Sequence, residues 1–533
     1  MIGRCHSYFP LQRTIITYDP AIGGAINTGL MIGAGNALAK AGPASLLISH
    51  TTVGMLVYLV LCALGEVASW FPVSSTVAGN AQRCCDPALG FTLGYWLKFI
   101  VITPNQLTAA ALVASYWVDA ETLNPGIWIA IFLTVIIAAN YWGDRFFGQY
   151  EFILSTFKIV VVLGLLILSL VLALGGGPDH DRKGFRYWKN HGAFAGERTH
   201  IGRLRAICRT MPSATFTYSG SELIGVSILH SHNPRRAAAR AIQLTFYRIL
   251  VLNLVGIILL GMLVPYNLDD LALTSTDKVT TASAFVVAVQ GAHAAVLLHF
   301  LNACLLLFVL SSANQALWVA TRILHGLAID HNAPALLSQT GSTGTPIVAL
   351  GVCSVLSSLA YLNISGDSRT LFDQFVNMST MFSLLAWISI LVTHLAFLRA
   401  RKAQSVPDKA LAFKAPLGAV GSAVALAFCV LIIVIRSFDI VDPGASIRRF
   451  DYIAFLTSYL TIPLYVCLIA GYKGFTRCES VSPSEVDLGV VKDETEGSED
   501  VIVQCTRDVS CTRIHRDEKP SRRSWPRARR SQA

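Results

Sequence analysis

Apolar runs of about 20 residues, the length a helix needs to cross hydrocarbon, follow one another along most of the chain. They fall at roughly 15–38, 45–69, 89–117, 124–142, 150–175, 206–230, 241–264, 283–318, 345–362, 371–397, 416–436 and 452–472. The pattern predicts an all-α polytopic membrane protein of about 12 transmembrane helices. A short N-terminus, residues 1–14, precedes a transmembrane domain over 15–472, and a tail over 473–533 follows it.

Two of these runs are interrupted at their middles by small, helix-breaking residues. The first holds Gly23-Gly24-Ala25-Ile26-Asn27-Thr28-Gly29 and the sixth Ser219-Gly220-Ser221-Glu222. An unpaired backbone N–H or C=O in hydrocarbon costs several kcal/mol, so a broken helix survives there only where the freed groups line a cavity or hold a ligand. Laying spans 1–5 over spans 6–10 puts the two breaks at matching places. That predicts a 5+5 inverted repeat with broken helices 1 and 6, and spans 11 and 12 outside it, an arrangement used by solute transporters.

Composition agrees with the membrane reading. Of 533 residues 53% are hydrophobic and 14% charged, against about a quarter charged in soluble domains. The net charge of +10 does not point to nucleic acid, because the basic residues sit largely in loops and tail. With a cytosolic N-terminus, the inside loops hold Arg83, Arg145, Arg235, Arg236, Arg240, Arg399, Arg401, Lys402, Lys409, Lys414, Lys473 and Arg477, as the positive-inside rule requires. The loop from Gly175 to Arg205 is the exception, external yet basic. An even number of spans returns the C-terminus to the cytosol. Met1 to Pro20 lacks the short apolar core and cleavage site of a signal peptide, so the first span is expected to act as the signal.

The twelve cysteines show no CxxC pair, and half of them, such as Cys62, Cys304, Cys353, Cys429 and Cys467, lie within spans, where they read as small apolar packing residues. No metal spacing, nucleophile elbow or phosphate loop is present, so neither an enzyme, a metal nor a cofactor is expected. In the tail, 485–500 is acidic and 507–530 basic. Neither stretch can build a core, and the tail is expected to be disordered. The basic part would either be solvated or lie on anionic lipid. The tail is also where cytosolic trafficking or ubiquitination machinery is expected.

A helix broken at mid-membrane offers a partner both for a carboxylate and for an ammonium. A half-helix beginning near Thr28 presents free N–H groups and the positive end of a dipole to the carboxylate. Unwound carbonyls around Ile22, Gly23, Phe216 and Ser219 accept from the ammonium. Asn27, Gly29 and Gly220 complete the candidate substrate contacts, the glycines allowing close approach. The plainer alternative is that the small residues only let helices pack closely. Asn105 and Gln106 in the third span and Asn314 in the eighth are candidates for side-chain selectivity, with interhelical hydrogen bonding as the alternative. Four ionisable residues at membrane depth, Glu66, Lys98, Lys158 and Glu222, need a reason to be there. Lys158, Glu222 and Glu66 are the candidates for proton coupling, against structural ion pairing.

Ala21-Ile22-Gly23-Gly24-Ala25-Ile26-Asn27-Thr28-Gly29-Leu30 resembles the AIGGxIGTGL signature of the fungal amino-acid permease family, in the amino acid, polyamine and organocation superfamily. Ala63-Leu64-Gly65-Glu66, Asn233-Pro234-Arg235 and Val264-Pro265-Tyr266-Asn267 are similar to the family too, and the likeness runs from about residue 20 to 490. Thr103-Pro104-Asn105-Gln106, the external run from Gly175 to Arg182 and Trp387-Ile388-Ser389-Ile390-Leu391-Val392-Thr393-His394 resemble most the dicarboxylic amino-acid permease branch. The resemblance implies a proton-coupled amino-acid importer of the plasma membrane, multi-pass with both termini cytosolic, favouring glutamate and aspartate. It places Phe216 where an aromatic closes over substrate, and Lys158 where a lysine replaces the sodium ion of other superfamily members.

The chain departs from the family at Asn27, where a glycine is usual, at His230, where a glutamate is usual, and at Asn314-Gln315-Ala316-Leu317, which lacks the usual acid. A general or neutral amino-acid permease, or a non-transporting amino-acid sensor signalling through its tail, are the alternatives these departures leave open.

Overall fold

A computed structural model describes residues 29–71, 76–92, 95–118, 122–177, 180–190, 192–195, 199–222, 234–267, 283–290, 295–329, 333–341, 344–364, 368–408, 411, 413–436 and 452–488. The chain divides into Met1–Val486 and Asp487–Ala533. Every element below belongs to the first unit, and of the second only residues 487 and 488 are described.

The described residues open with a π-helical turn, Gly29–Gly33, that runs into α1, Ala34–Ala41. Then come α2 (Pro43–Trp70), α3 (Thr76–Cys84), α4 (Pro87–Thr92), α5 (Tyr95–Ala114), α6 (Pro125–Tyr141), α7 (Asp144–Ala173) and the short α8 (Arg186–Asn190). After these follow α9 (His200–Tyr218), α10 (Pro234–Leu263), α11 (Ala284–Gln290), α12 (Ala295–Ile329), α13 (Ile347–Ser357), α14 (Ser368–Ala403), α15 (Gly418–Ile435), α16 (Tyr452–Tyr459) and α17 (Thr461–Thr476). Among the described residues seven helices are long and apolar enough to cross a membrane: Pro43–Trp70, Pro87–Ala114, Phe147–Ala173, Val296–Ile329, Thr370–Ala403, Gly418–Ile435 and Phe455–Thr476. The protein is therefore an all-α polytopic membrane protein.

Local chemistry sets several starts. Asn124 caps α6 by accepting from the Gly126 N–H at 2.8 Å, with Pro125 in the first helical position, where its missing donor costs nothing. Thr199 caps α9 in the same way, accepting from Gly202 N–H at 3.0 Å.

The faces of α7 show how the bundle meets lipid. Glu151, Ser155, Lys158 and Val162 recur at helical spacing and are buried, whereas Ile153, Val160 and Ile167 are each more than 60% exposed. Large apolar side chains turned outward along a whole helix face are stable only against hydrocarbon.

Some boundaries differ from the pattern-based expectation. The run expected over 283–318 is divided between α11 and α12, and α12 continues to Ile329. The sixth run keeps its helix only from His200 to Tyr218, and residues 223–233 lie outside the described residues. Beyond Thr476, in the stretch read from sequence as tail, Val481 N–H donates to the Cys85 carbonyl at 2.9 Å. The Gln404 amide also donates to the Val486 carbonyl at 2.7 Å.

The basic loop after α7 packs onto neighbouring helix ends. Ala44 N–H, at the start of α2, donates to the Ala193 carbonyl at 3.0 Å. Arg186 holds Asp181 through two hydrogen bonds of 3.0 and 2.6 Å, and this keeps the Asp181 carboxyl below its usual range. Part of the loop's positive charge is thus neutralised within the loop.

Candidate functional site

Helix α9 stops at Tyr218 although the chain is still buried. Ser219 is extended, at φ −61° and ψ 131°. Gly220 has φ +100°, a conformation that side chains disfavour and glycine adopts freely. Short turns close the end: Ser219 N–H donates to Phe216 O and Ser221 N–H to Tyr218 O, both at 3.2 Å. A helix end at the expected place in the sixth run is therefore present in the backbone.

Side chains from two other helices converge on this turn. Ser219 shares a 2.7 Å hydroxyl hydrogen bond with Ser383 of α14. Glu222 pairs with the ammonium of Lys98 on α5, and neither side chain has any exposure. The second oxygen of Glu222 accepts from Gly220 N–H at 3.1 Å and from the Trp387 indole at 3.3 Å. Phe216 is buried, with its ring edge-on to Phe372 at 6.5 Å between centroids.

Of the first break, Ile22, Gly23, Asn27 and Thr28 lie outside the described residues. Gly29 is described, and it touches α9 directly. A Cβ built on Gly29 would stand 2.6 Å from Thr217 Cα and 2.8 Å from Thr217 N. These are backbone atoms and cannot swing aside. Ser213 Oγ donates to Gly33 O at 3.2 Å. The Gly29–Gly33 turn thus lies against α9, and Gly29 serves close packing whatever else it does. His50 of α2 backs the contact, with Nδ1 2.9 Å from Leu46 O and Nε2 3.4 Å from Thr217 Oγ1.

Lys158 stands apart from that group. Its ammonium is 3.8 Å from Glu151 on the same helix. Glu151 also accepts from Ser311 of α12, at 3.0 and 3.2 Å to its two oxygens. Glu151 was missed in the sequence reading, although it precedes Lys158 by two helical turns and so shares its face.

Glu66 belongs to a third group. One oxygen accepts from Arg401 at 3.2 Å. The other lies 3.2 Å from His394 Nε2 and accepts from Ala415 N–H at 2.7 Å. His394 Nδ1 is 2.7 Å from Ser422 Oγ. Arg401 reaches on to Asp408 at 2.6 Å, which also accepts from Lys414 at 2.6 Å. Hydrogen bonds from Lys414 and Arg401 hold the Asp408 carboxyl below its ordinary range.

The polar candidates in the third and eighth spans divide. Asn314 Oδ1 accepts from the Asn140 amide of α6 at 2.8 Å, an interhelical hydrogen bond of the kind that holds bundles together. Gln106 is buried at 2% exposure. Asn105 is fully buried, and neither atom of its amide has a hydrogen-bond partner among the described residues.

With the fold and this geometry established, comparison with known proteins identifies the chain. The amino acid permease family profile matches residues 20–481. The dicarboxylic amino acid permease of Saccharomyces cerevisiae is 43% identical over 481 residues, covering 89% of this chain and 78% of the relative. An uncharacterised amino-acid permease of Schizosaccharomyces pombe is 36% identical over 88% of this chain and 89% of its own length. The lysine-specific permease of Saccharomyces cerevisiae is 32% identical over 89% and 77%. The chain belongs to the amino acid permease family, whose members are membrane transporters and not enzymes.

Proposed function

We propose that this permease is a proton-coupled importer of acidic amino acids, glutamate and aspartate, at the plasma membrane. The observation that carries the reading is the end of α9 at Tyr218, where a buried Ser219–Glu222 turn meets a buried lysine. The 43% identity to a dicarboxylic amino acid permease supports the substrate class. In this reading twelve helices form two inverted halves around broken helices 1 and 6, and both termini face the cytosol. Ile22, Gly23, Asn27, Thr28, Gly29, Ser219 and Gly220 hold the α-amino and α-carboxylate groups. Phe216 closes over them, with Gln106 and Asn314 near the side chain.

Glu222 and Lys158 carry the coupling, because each is an ionisable group beside exchangeable polar partners. Glu66, with a histidine, an arginine and a backbone N–H already on it, ties α2 to α14. The tail offers cytosolic trafficking machinery its site.

Uptake of labelled glutamate, aspartate and a neutral amino acid into permease-deficient yeast expressing the chain tests the reading. Protonophore-sensitive glutamate uptake is expected. Absence of any flux from a chain confirmed at the cell surface would favour a sensor instead.

A further inference from the structure

We propose that Lys98 is the specificity-determining residue that receives the side-chain carboxylate of an acidic substrate. The inference rests on the importer reading above and adds to it the group that tells glutamate from glutamine.

Lys98 lies on α5 with no exposure, and its hydrogen-bond partner among the described residues is Glu222 alone. An ammonium has three N–H donors. One is used, and the other two have no acceptor among the described residues, in a fully buried environment. A buried charged donor left unused is costly, so such groups mark places where a ligand or water completes the set.

Glu222 is in the opposite condition. It accepts from Lys98, from Gly220 N–H and from the Trp387 indole. Since Gly220 belongs to the turn that ends α9, the Glu222 carboxylate spans the short gap between the broken backbone and the Lys98 ammonium. Spare donor capacity thus stands one carboxylate away from the break.

The chemistry of an acidic amino acid matches this vacancy. Its α-carboxylate and α-ammonium cancel, and the side-chain carboxylate leaves one net negative charge to be compensated in a low-dielectric interior. A lysine with two unused donors supplies a cation and hydrogen bonds together. When Glu222 takes up a proton, as its coupling role in the importer reading requires, the Lys98 charge is left for the substrate carboxylate to balance, whereas an amide side chain offers only the weaker bond of a neutral oxygen. The other buried ionic groups described, Lys158 with Glu151 and Glu66 with Arg401, share no residue with the Ser219–Glu222 turn.

The test is substrate counterflow in proteoliposomes, with no proton gradient, so that loss of coupling does not obscure selectivity. Labelled glutamate and labelled glutamine are compared for the wild type, Lys98→Arg, Lys98→Gln and the double variant Lys98→Gln with Glu222→Gln, which leaves no unpaired buried charge. The expected result is a fall of about 100-fold or more in the glutamate-to-glutamine ratio for both variants that lack the lysine, as when a site loses the group that bonds its substrate. Lys98→Arg, which keeps the charge, retains the glutamate preference. An unchanged ratio in Lys98→Gln, or equal loss of both substrates in the double variant with protein content confirmed, overturns the assignment. A wild type that exchanges neither substrate overturns the importer reading itself, and the two failures are thereby distinct.

Discussion

Three carboxylates, Glu66, Glu151 and Glu222, are buried among the described residues, and the surroundings of Glu66 and Glu222 differ. Glu66 is held by Arg401, His394 and the Ala415 N–H, and Arg401 hands the charge on to Asp408. Asp408 and Lys414 are about 60% exposed, so this network runs from a buried carboxylate out to solvent. Glu222 and Lys98 are both fully buried, and the lysine's other donors have no acceptor among the described residues. A carboxylate whose partners form a chain to water fastens helices in place. A carboxylate in a closed pair with spare donors on its partner can exchange that partner for a ligand at modest cost. On the proposed reading, the difference separates a fastening from a working site.

The largest test of this contrast is Glu66→Ala. It strands Arg401 and His394, and removing one partner of a buried ion pair costs about 3–5 kcal/mol. A lowered melting temperature of the purified protein is expected, with uptake per surviving surface molecule retained. An unchanged melting temperature would remove Glu66 from the fastening role.

Gly29→Leu comes next. The new side chain has to enter the Thr217 backbone, and overpacking of this kind costs about 1–3 kcal/mol. Here stability and uptake should fall together, since the contact joins the Gly29–Gly33 turn to α9. Full surface expression with uptake abolished would show that the glycine acts on substrate approach alone.

Ser383→Ala removes the hydroxyl that steadies Ser219 and should cost about 0.5–1.5 kcal/mol, read as a small drop in melting temperature with a raised KM. A KM equal to that of the wild type would detach α14 from the site.

Asp408→Asn should do least. Its depressed pKa means that its contribution to stability is present above the ordinary aspartate range and is lost only as pH falls through the lower folded value. Melting temperature of the wild type and the variant should therefore run parallel between pH 5 and 8 (the range in which histidine titrates), and divergence there would assign the titration to another group.

The all-α polytopic class and the helix end at Ser219 were legible in the sequence because their causes are local. Length and apolarity mark a span, and Ser219-Gly220-Ser221 marks a helix end, since glycine alone accepts the φ of +100° found there. Burial of Lys98, Lys158, Glu66 and Glu222 was legible for the same reason. Their partners were not. Lys98 meets Glu222 across 124 residues and Arg401 meets Glu66 across 335, distances over which no periodicity carries information. Glu151 was the exception, recoverable from its two-turn spacing to Lys158. Asn314 illustrates the remaining ambiguity: a polar residue in a span reads equally as a ligand contact or a helix fastener, and its hydrogen bond to Asn140 becomes known only when α6 and α12 are placed side by side.

The contrast is tested most directly by accumulation of labelled glutamate against its gradient, driven by an imposed proton gradient, in Glu222→Gln and Glu66→Gln at matched surface levels. Accumulation should be lost in Glu222→Gln, with counterflow of a neutral amino acid preserved, and retained in Glu66→Gln. Gradient-driven accumulation that survives in Glu222→Gln, or disappears equally in both, would contradict the division between working site and fastening.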